Sequence, residues 1–474
     1  MPCPDDTRWS SLSGEALWPS PWWLGRRGFE LAPQPPHLRN VNRLLLFLAQ
    51  CVMALAMLSV FGWAVKHRTQ GDLDLGRWNG PLEWLAGFPD LFQASVEEVQ
   101  ALPQTFVPTP EAWSPVHALE EDVWALSAYS NAQGGRDIDL WNLRDGALDH
   151  RWTVPSKDIP TQPHWRVHHP LLLEDRSVVS FVTNRSPLFR LDSASNAVWR
   201  QDSLSFHHAI NLDAEGQIWA CVMQWERGGR HIAYRGRYVM DGKTVHFLDN
   251  SIAQIDPDNG HIRSVTSCAA ILRDNGLEHL ILRSGDPQDP MHLNDIEPAL
   301  YSGPFFEKGD LFLSFRNLQA VLQYRPSTGK VVRVVQGPLA AQHDVDILGD
   351  STLAIFNNAT QENVGKHPAG SYAYPVSKDQ EELKHWHAEL ALYHFDDGHF
   401  ESVYPELMRE GEIMTFSEGL QEFLPNGSVF VEEQNSGVLW VLGEEGILYK
   451  DVMASHHEGH HHLPNWTRII PYTP

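Results

Sequence analysis

Cysteine is scarce in this chain: four residues in 474, at positions 3, 51, 221 and 268, with no C-x-x-C pair among them. That pattern excludes a zinc-ribbon framework and a disulfide-dense scaffold. A pairing of Cys221 with Cys268 stays open if the compartment is oxidising. Basic residues are also few: 36 Lys and Arg stand against 60 Asp and Glu, for a formal net charge of -24. A nucleic-acid partner is therefore not expected, because phosphate contacts need a basic face. Long uncharged runs are rare as well, and the one exception organises the chain.

Residues 44–65, "LLLFLAQCVMALAMLSVFGWAV", carry no charge. As a helix they would extend about 33 Å at ~1.5 Å per residue, against a hydrocarbon core of about 30 Å. Arg26, Arg27, Arg39 and Arg43 precede the run; Lys66 and Arg68 follow, and then acids. The basic excess before the run predicts a cytoplasmic N-terminus and a single-pass anchor in the inner (cytoplasmic) membrane. The rest of the chain then faces the periplasm or cell exterior. A cleaved signal peptide is the competing reading, but its apolar core is usually only ~7–15 residues.

Residues 1–43, rich in Pro, Trp and Arg, read as a cytoplasmic tail, residues 44–65 as a transmembrane helix and residues 66–115 as a linker or small cap. From 116 to 474 the texture is short alternating apolar runs parted by Gly, Asn and Asp turns, as in "DIDLWNLRDGALDHRWTV" and "IAQIDPDNGHIRSV". Such runs predict antiparallel strands and an all-β domain. A strand–turn–strand unit recurs about every 40–50 residues, the period of propeller blades, which leaves room for six or seven. Pairing of a strand near 466–471 with one near 123–129 is expected to close the ring, because an open ring exposes two sheet edges.

Histidine is abundant, with 25 residues, and several open the repeated units. "FHHAINLDAEGQIWACV" starts at Phe206 and "QHDVDILGDSTLAIFNN" at Gln342; aligned, His208 falls on His343 and Ala209 on Asp344. "VHHPLLLEDRSVVSFV" is a looser copy with His169 in that place. A second constellation, "DPMHLNDIEPALYSGPFFEKGDLFLSFRN", holds His292, Asn294, Arg316 and Asn317. On a strand, His292 and Asn294 would point the same way. Equivalent strands aim their first residues at one central funnel, so His208, His292 and His343 with Asn294 and Arg316 are expected to converge there. Three imidazoles, an amide and a guanidinium would bind and polarise an oxyanion.

The phrases "HHAINLDAEGQIW", "DPMHLND…LFLSFRN", "YRPSTGKVV" and "QHDVDILGDSTLAIFNN" resemble the bacterial arylsulfate sulfotransferase family over roughly residues 120–470. The resemblance implies a six-bladed propeller that moves a sulfuryl group from an aryl sulfate ester to a phenolic acceptor. It also implies a ping-pong sulfohistidine intermediate, with no nucleotide sulfate donor, cofactor or metal. Carried over by motif, His343 would be the nucleophile, and His208, His292, Asn294 and Arg316 its oxyanion and leaving-group partners.

Two other classes compete. A non-catalytic membrane-anchored propeller could bind a ligand or protein partner across the same funnel, since propellers host unrelated functions. A metal-dependent hydrolase would use the histidines as ligands. The tail "ASHHEGHHHLPNW" contains H-E-x-x-H at 457–461, but Gly459 and Pro464 argue against the helix that motif needs. A loop before a closing strand is expected there.

Overall fold

The computed structural model describes residues 36–69, 76, 81, 105–160, 165–184, 187–224, 236–240, 242–359, 387–415 and 417–471. The expected tail therefore lies outside the described residues up to position 35, and the expected linker or cap lies largely outside them.

Pro36–Thr69 is a single α-helix of 34 residues. Within it Leu45–Val65 is apolar and long enough to cross a membrane. None of that stretch is buried inside the protein, as expected of a surface meant for lipid rather than a soluble core.

The remaining described residues form a six-bladed β-propeller. From the axis outwards, the second blade is Val167–Leu172, Val178–Val182, Leu188–Leu191 and Ala197–Gln201. The third is Leu204–Leu212, Ile218–Gln224, Ser251–Ile255 and Ile262–Ser267. The inner strands of the fourth, fifth and sixth blades are Leu293–Pro298, His343–Leu348 and Leu420–Phe423. The first blade joins the two ends of the domain: Arg468–Ile470 is its inner strand and Trp124–Ser130 the next. The register is Arg468 opposite Leu126 and Ile470 opposite Trp124, which is the expected closure.

Aromatic side chains from the alternating apolar positions fill the spaces within and between blades. Trp152, Phe181, Phe189, Phe206, Phe312, Phe315, Phe356 and Phe430 are fully buried. Phe181 and Phe206 meet across the boundary of the second and third blades, with ring centroids 6.3 Å apart. Each such side chain contributes about 2–3 kcal/mol by leaving water. The "DPDNG" turn shows why its last residue is glycine. Gly260 has φ 71°, and a Cβ there would lie 2.6 Å from the Trp199 ring.

The inner strands depart from regular pleating where they begin. Each blade places a non-glycine residue in the left-handed region there: Trp466, His169, His208, His292, Asp344 and Glu418. Bulges accompany four of them, between His168 and Leu171, Phe206 and Ile210, Leu293 and Asp295, and His343 and Val345. A left-handed backbone costs a non-glycine residue roughly 1–2 kcal/mol, and such strain gathers at functional sites. Matching these residues pairs His208 with Asp344 and His207 with His343. That is one residue out of the phase read from the sequence, because the bulges insert unpaired residues that a linear alignment does not see.

Two further expectations are settled by the coordinates. Cys221 and Cys268 are buried free thiols. The segment holding H-E-x-x-H is not helical. His460–His462 is a short strand paired with Phe106–Pro108, preceded by a turn in which His460 N–H donates to His457 O at 3.0 Å.

Candidate active site

The three histidines singled out in the sequence come together where the inner strands start. His343 is the first residue of the fifth inner strand, opposite Phe356. His208 stands in the bulge of the third, where residues 207–209 oppose Cys221 alone. His292 lies just before the fourth, not on it. The His208 ring centroid is 5.1 Å from that of His292 and 5.9 Å from that of His343. Trp466, from the first blade, packs at 5.9 Å from His208 and 6.3 Å from His343. Its other neighbours are His168 and His169, at 5.4 and 5.3 Å. His343 lies deepest, at 1% exposure, whereas His208 and His292 are half-buried.

Hydrogen bonds set the tautomer of His343. Asn358 donates its amide to the carbonyls of Thr415 and Glu418 at 2.8 and 2.7 Å, so its Oδ1 is the atom facing His343 Nδ1 at 2.7 Å. An amide oxygen can only accept, so Nδ1 carries the proton and Nε2 keeps its lone pair. That lone pair meets the Glu418 N–H at 3.3 Å. Burial, with the nearby Arg316 charge, lowers the His343 pKa to about 3. His343 is thus neutral near pH 7, with Nε2 as its basic atom. Burial, then His292 and His207, holds His208 well below the ordinary value too.

His292 is in a different setting. Its Nδ1 sits 2.6 Å from Asp289 Oδ2. Burial pushes Asp289 up, but the charge and hydrogen bond of His292 outweigh it, and the carboxyl ends below its usual range. The pair is an Asp–His dyad joined through His292 Nδ1. Arg316 is buried in a 3-10 turn after strand Leu311–Phe315; its N–H donates to His292 O at 3.1 Å. The neighbouring Asn317 donates Nδ2 to Asp289 O at 2.7 Å.

A sequence model of the arylsulfotransferase (ASST) family matches residues 169–449, more than half of the chain. The chain belongs to the arylsulfotransferase family. No curated protein sequence matches it appreciably. Among solved structures it is similar to a protein of unknown function from Bacteroides caccae, with TM-score 0.41 and 9% identity over 70% of this chain and 93% of that one. It is also similar to virginiamycin B lyase from Staphylococcus aureus, with TM-score 0.36 and 12% identity over 75% and 90%. Hydrazine synthase from Kuenenia stuttgartiensis gives 0.39 and 10% over 65% and 71%. Likenesses this low carry no argument about function.

Within this arylsulfotransferase, Asn294 is placed otherwise than the alternation of a strand suggested. His292 is off the strand and Asn294 is in a bulge, so the two do not share a face by period. Asn294 is fully buried and donates Nδ2 to the carbonyl of Gln342 at 2.7 Å, bracing the residue before His343. Sequence reading did not place Asp289, Asn358, Glu418 or Trp466 in the site. Asp289, three residues before His292 in "DPMH", was within reach of a search for carboxylates near a histidine. Glu418 was not: it lies 75 positions from the imidazole its N–H meets. Arg166 holds the Glu418 carboxylate with both guanidinium nitrogens, one of them at 2.7 Å. Burial raises the Glu418 pKa, Arg166 more than offsets this, and the result is about 2. Arg166 is thus neutralised by Glu418, and Arg316 is the guanidinium beside His343 whose charge acts on that imidazole.

Proposed function

We propose that this arylsulfotransferase moves a sulfuryl group from an aryl sulfate ester to a phenol through a sulfohistidine, without a nucleotide donor. In the first half-reaction, His343 Nε2 attacks sulfur; the N–S bond forms as the S–O bond to the aryl group breaks. The departing phenolate takes a proton from His292 Nε2, and Asp289 stabilises the dyad. His343 keeps its Nδ1 proton on Asn358, so the sulfated ring carries a positive charge and leaves readily in the second half. There a phenol gives its proton to His292, its oxygen attacks sulfur, and the N–S bond breaks. Arg316 and His208 are proposed to hold the sulfuryl oxygens, while Asn294, expected from the sequence to join them, instead braces the start of the His343 strand through Gln342. Charge spreads over those oxygens in a loose transition state, so positioning and electrostatics do most of the work.

The observation that supports this reading is the convergence of three imidazoles, one held as the Nδ1–H tautomer with its Nε2 lone pair accepting only the long Glu418 N–H contact, and another paired to a carboxylate. We further propose the boundaries read from the sequence: a cytoplasmic tail at 1–43, a span at 44–65, a linker or cap at 66–115 and the propeller at 116–474. The propeller would face the periplasm or cell exterior from the inner membrane. The test is to incubate the full chain in detergent with a labelled aryl sulfate, with and without a phenol, and no nucleotide. Label trapped on His343 without acceptor, and discharged by phenol, is expected. Turnover that survives His343→Ala, with no label on any histidine, would leave a ligand-binding propeller as the better account.

A further inference from the structure

The hairpin Glu389–His394 and Phe400–Val403 at the outer edge of the fifth blade carries a second, unrelated cluster of histidines. Tyr393 pairs with Phe400 across it and Leu392 with Glu401. His394 N–H donates to His399 O at 3.0 Å, so these two residues also face each other across the ladder. Side chains alternate along a strand, so one face of the hairpin holds Tyr393, Phe395 and Phe400 and the other holds His394, His399 and Glu401. The first face is anchored. Tyr393 and Phe395 are buried, Tyr393 lies 5.2 Å from Phe400, and Phe395 stacks on Phe305 at 5.7 Å.

On the second face the His394 and His399 rings are stacked, with centroids 4.2 Å apart and planes inclined by 7°. One donor atom from each of His394, His399 and Glu401 lies within 4.8 Å of the other two. His394 Nε2 is 3.3 Å from Glu401 Oε2. His399 Nδ1 is 2.5 Å from Asp397 Oδ1. That carboxylate favours the proton on Nδ1 and leaves the Nε2 lone pair as the ligand atom. A carboxylate oriented on the far nitrogen is the usual outer support of a metal-binding histidine.

The geometry points to a divalent transition-metal site formed by His394, His399 and Glu401, with water completing a four-coordinate ion and Asp397 orienting His399. Two imidazoles and a carboxylate suit zinc or a neighbouring first-row ion rather than calcium or magnesium, which take oxygen ligands. The site is remote from the proposed chemistry. Phe395 N–H donates to Ser351 O in the turn that ends the fifth blade's inner strand, whereas His343 begins that strand. The hairpin therefore sits on the opposite face of the propeller, and the inference is independent of sulfuryl transfer.

Cobalt(II) binding to the full chain in detergent, read by visible absorption and by displacement with zinc, tests the site without an activity assay. The wild type should bind one zinc-displaceable equivalent with the absorption of a tetrahedral ion. His394→Ala/His399→Ala should lose it, and Glu401→Gln, which keeps the hairpin's shape, should weaken it more than tenfold. Asp397→Asn should weaken it about 10-fold, the usual effect of removing such an outer partner. His456→Ala/His457→Ala, in the histidine-rich tail, should keep it. Equal stoichiometry and affinity in the wild type and His394→Ala/His399→Ala would overturn the site. So would the absence of any zinc-displaceable equivalent in the wild type.

Discussion

The inner strands present imidazoles where they start and carboxylates a few residues further along. The first belt is His168, His169, His207, His208, His292 and His343. The second is Asp295 and Glu297 of the fourth blade, Asp344 and Asp346 of the fifth and Glu422 of the sixth. Five acids share the influence of one cation, Arg468 of the first blade. Yet the guanidinium of Arg468 donates to His169, Pro170, Ile210 and Asn211. Burial drives both belts towards neutrality from opposite sides. It lowers His168, His207 and His343 to about 3. It raises Asp295 to about 6, Glu422 to about 7, and Glu297, Asp344 and Asp346 well above their ordinary values. The axis is thus far less negative than the composition suggests.

The comparison breaks most visibly at His343. His343→Ala should lower kcat for aryl sulfate turnover by more than about 10³, since it removes the atom proposed to carry the sulfuryl group. Stability should fall by about 1–3 kcal/mol, because Asn358 Oδ1 loses its buried partner, which is far too little to unfold the propeller at assay temperature. A variant with near-normal kcat would mean that this belt is structural, like its acidic counterpart.

Asp289→Asn separates members of the imidazole belt from one another. A general acid contributes about 10²–10⁴, most where the leaving group is basic. The loss in kcat/KM should therefore be about 10² for esters of weakly acidic phenols and much smaller for esters of nitrophenols. A uniform loss across leaving groups would assign Asp289 to folding instead.

Stability against pH sharpens the opposition between the belts. The buried imidazoles have folded pKa values below the unfolded ~6.5, so the unfolded chain binds more protons and stability rises with pH from about 3 to 6.5. The buried carboxyls have folded values above the unfolded ~4, so the folded chain retains protons and stability falls as pH rises from about 4 through 7. Urea midpoints should therefore climb between about pH 3 and 4, flatten to about 6.5, and decline above that. A midpoint still rising at pH 8 would contradict the carboxylate assignment.

The smallest effect belongs to Glu422→Gln, which removes one raised carboxyl. It should stabilise the propeller by about 1 kcal/mol at pH 8 and by nearly nothing at pH 5, after discounting for partial exposure. A gain independent of pH would point to packing rather than charge.

Much of this was legible in the sequence because it rests on short-range pattern. Alternation and turns at a 40–50-residue period announce blades, and a histidine at the start of successive units announces a shared axis. The closing strand followed from the need to protect sheet edges. What escaped depends on backbone geometry. Left-handed residues and bulges shift the phase of the units, so His208 aligns with Asp344, and Asn294 braces Gln342 rather than sharing a face with His292. The carboxylate belt was invisible for a related reason. Asp344, Asp346 and Glu422 look like ordinary polar alternation until the inner strands are gathered round one axis.

The closing strand also dictates timing. Ser127 and Thr467, hydrogen-bonded across the seam, are 340 residues apart. Joining ends that far apart costs about 2–3 kcal/mol more than closing a 20-residue loop, and must be met before the ring yields any return. Trp466, against which His208 and His343 pack, and Arg468, whose charge acts on all five acids of the second belt, both arrive on that segment. A nascent chain can therefore stack five blades and still lack the indole against which His208 and His343 pack. The ring that holds those imidazoles together is thus completed in one late step.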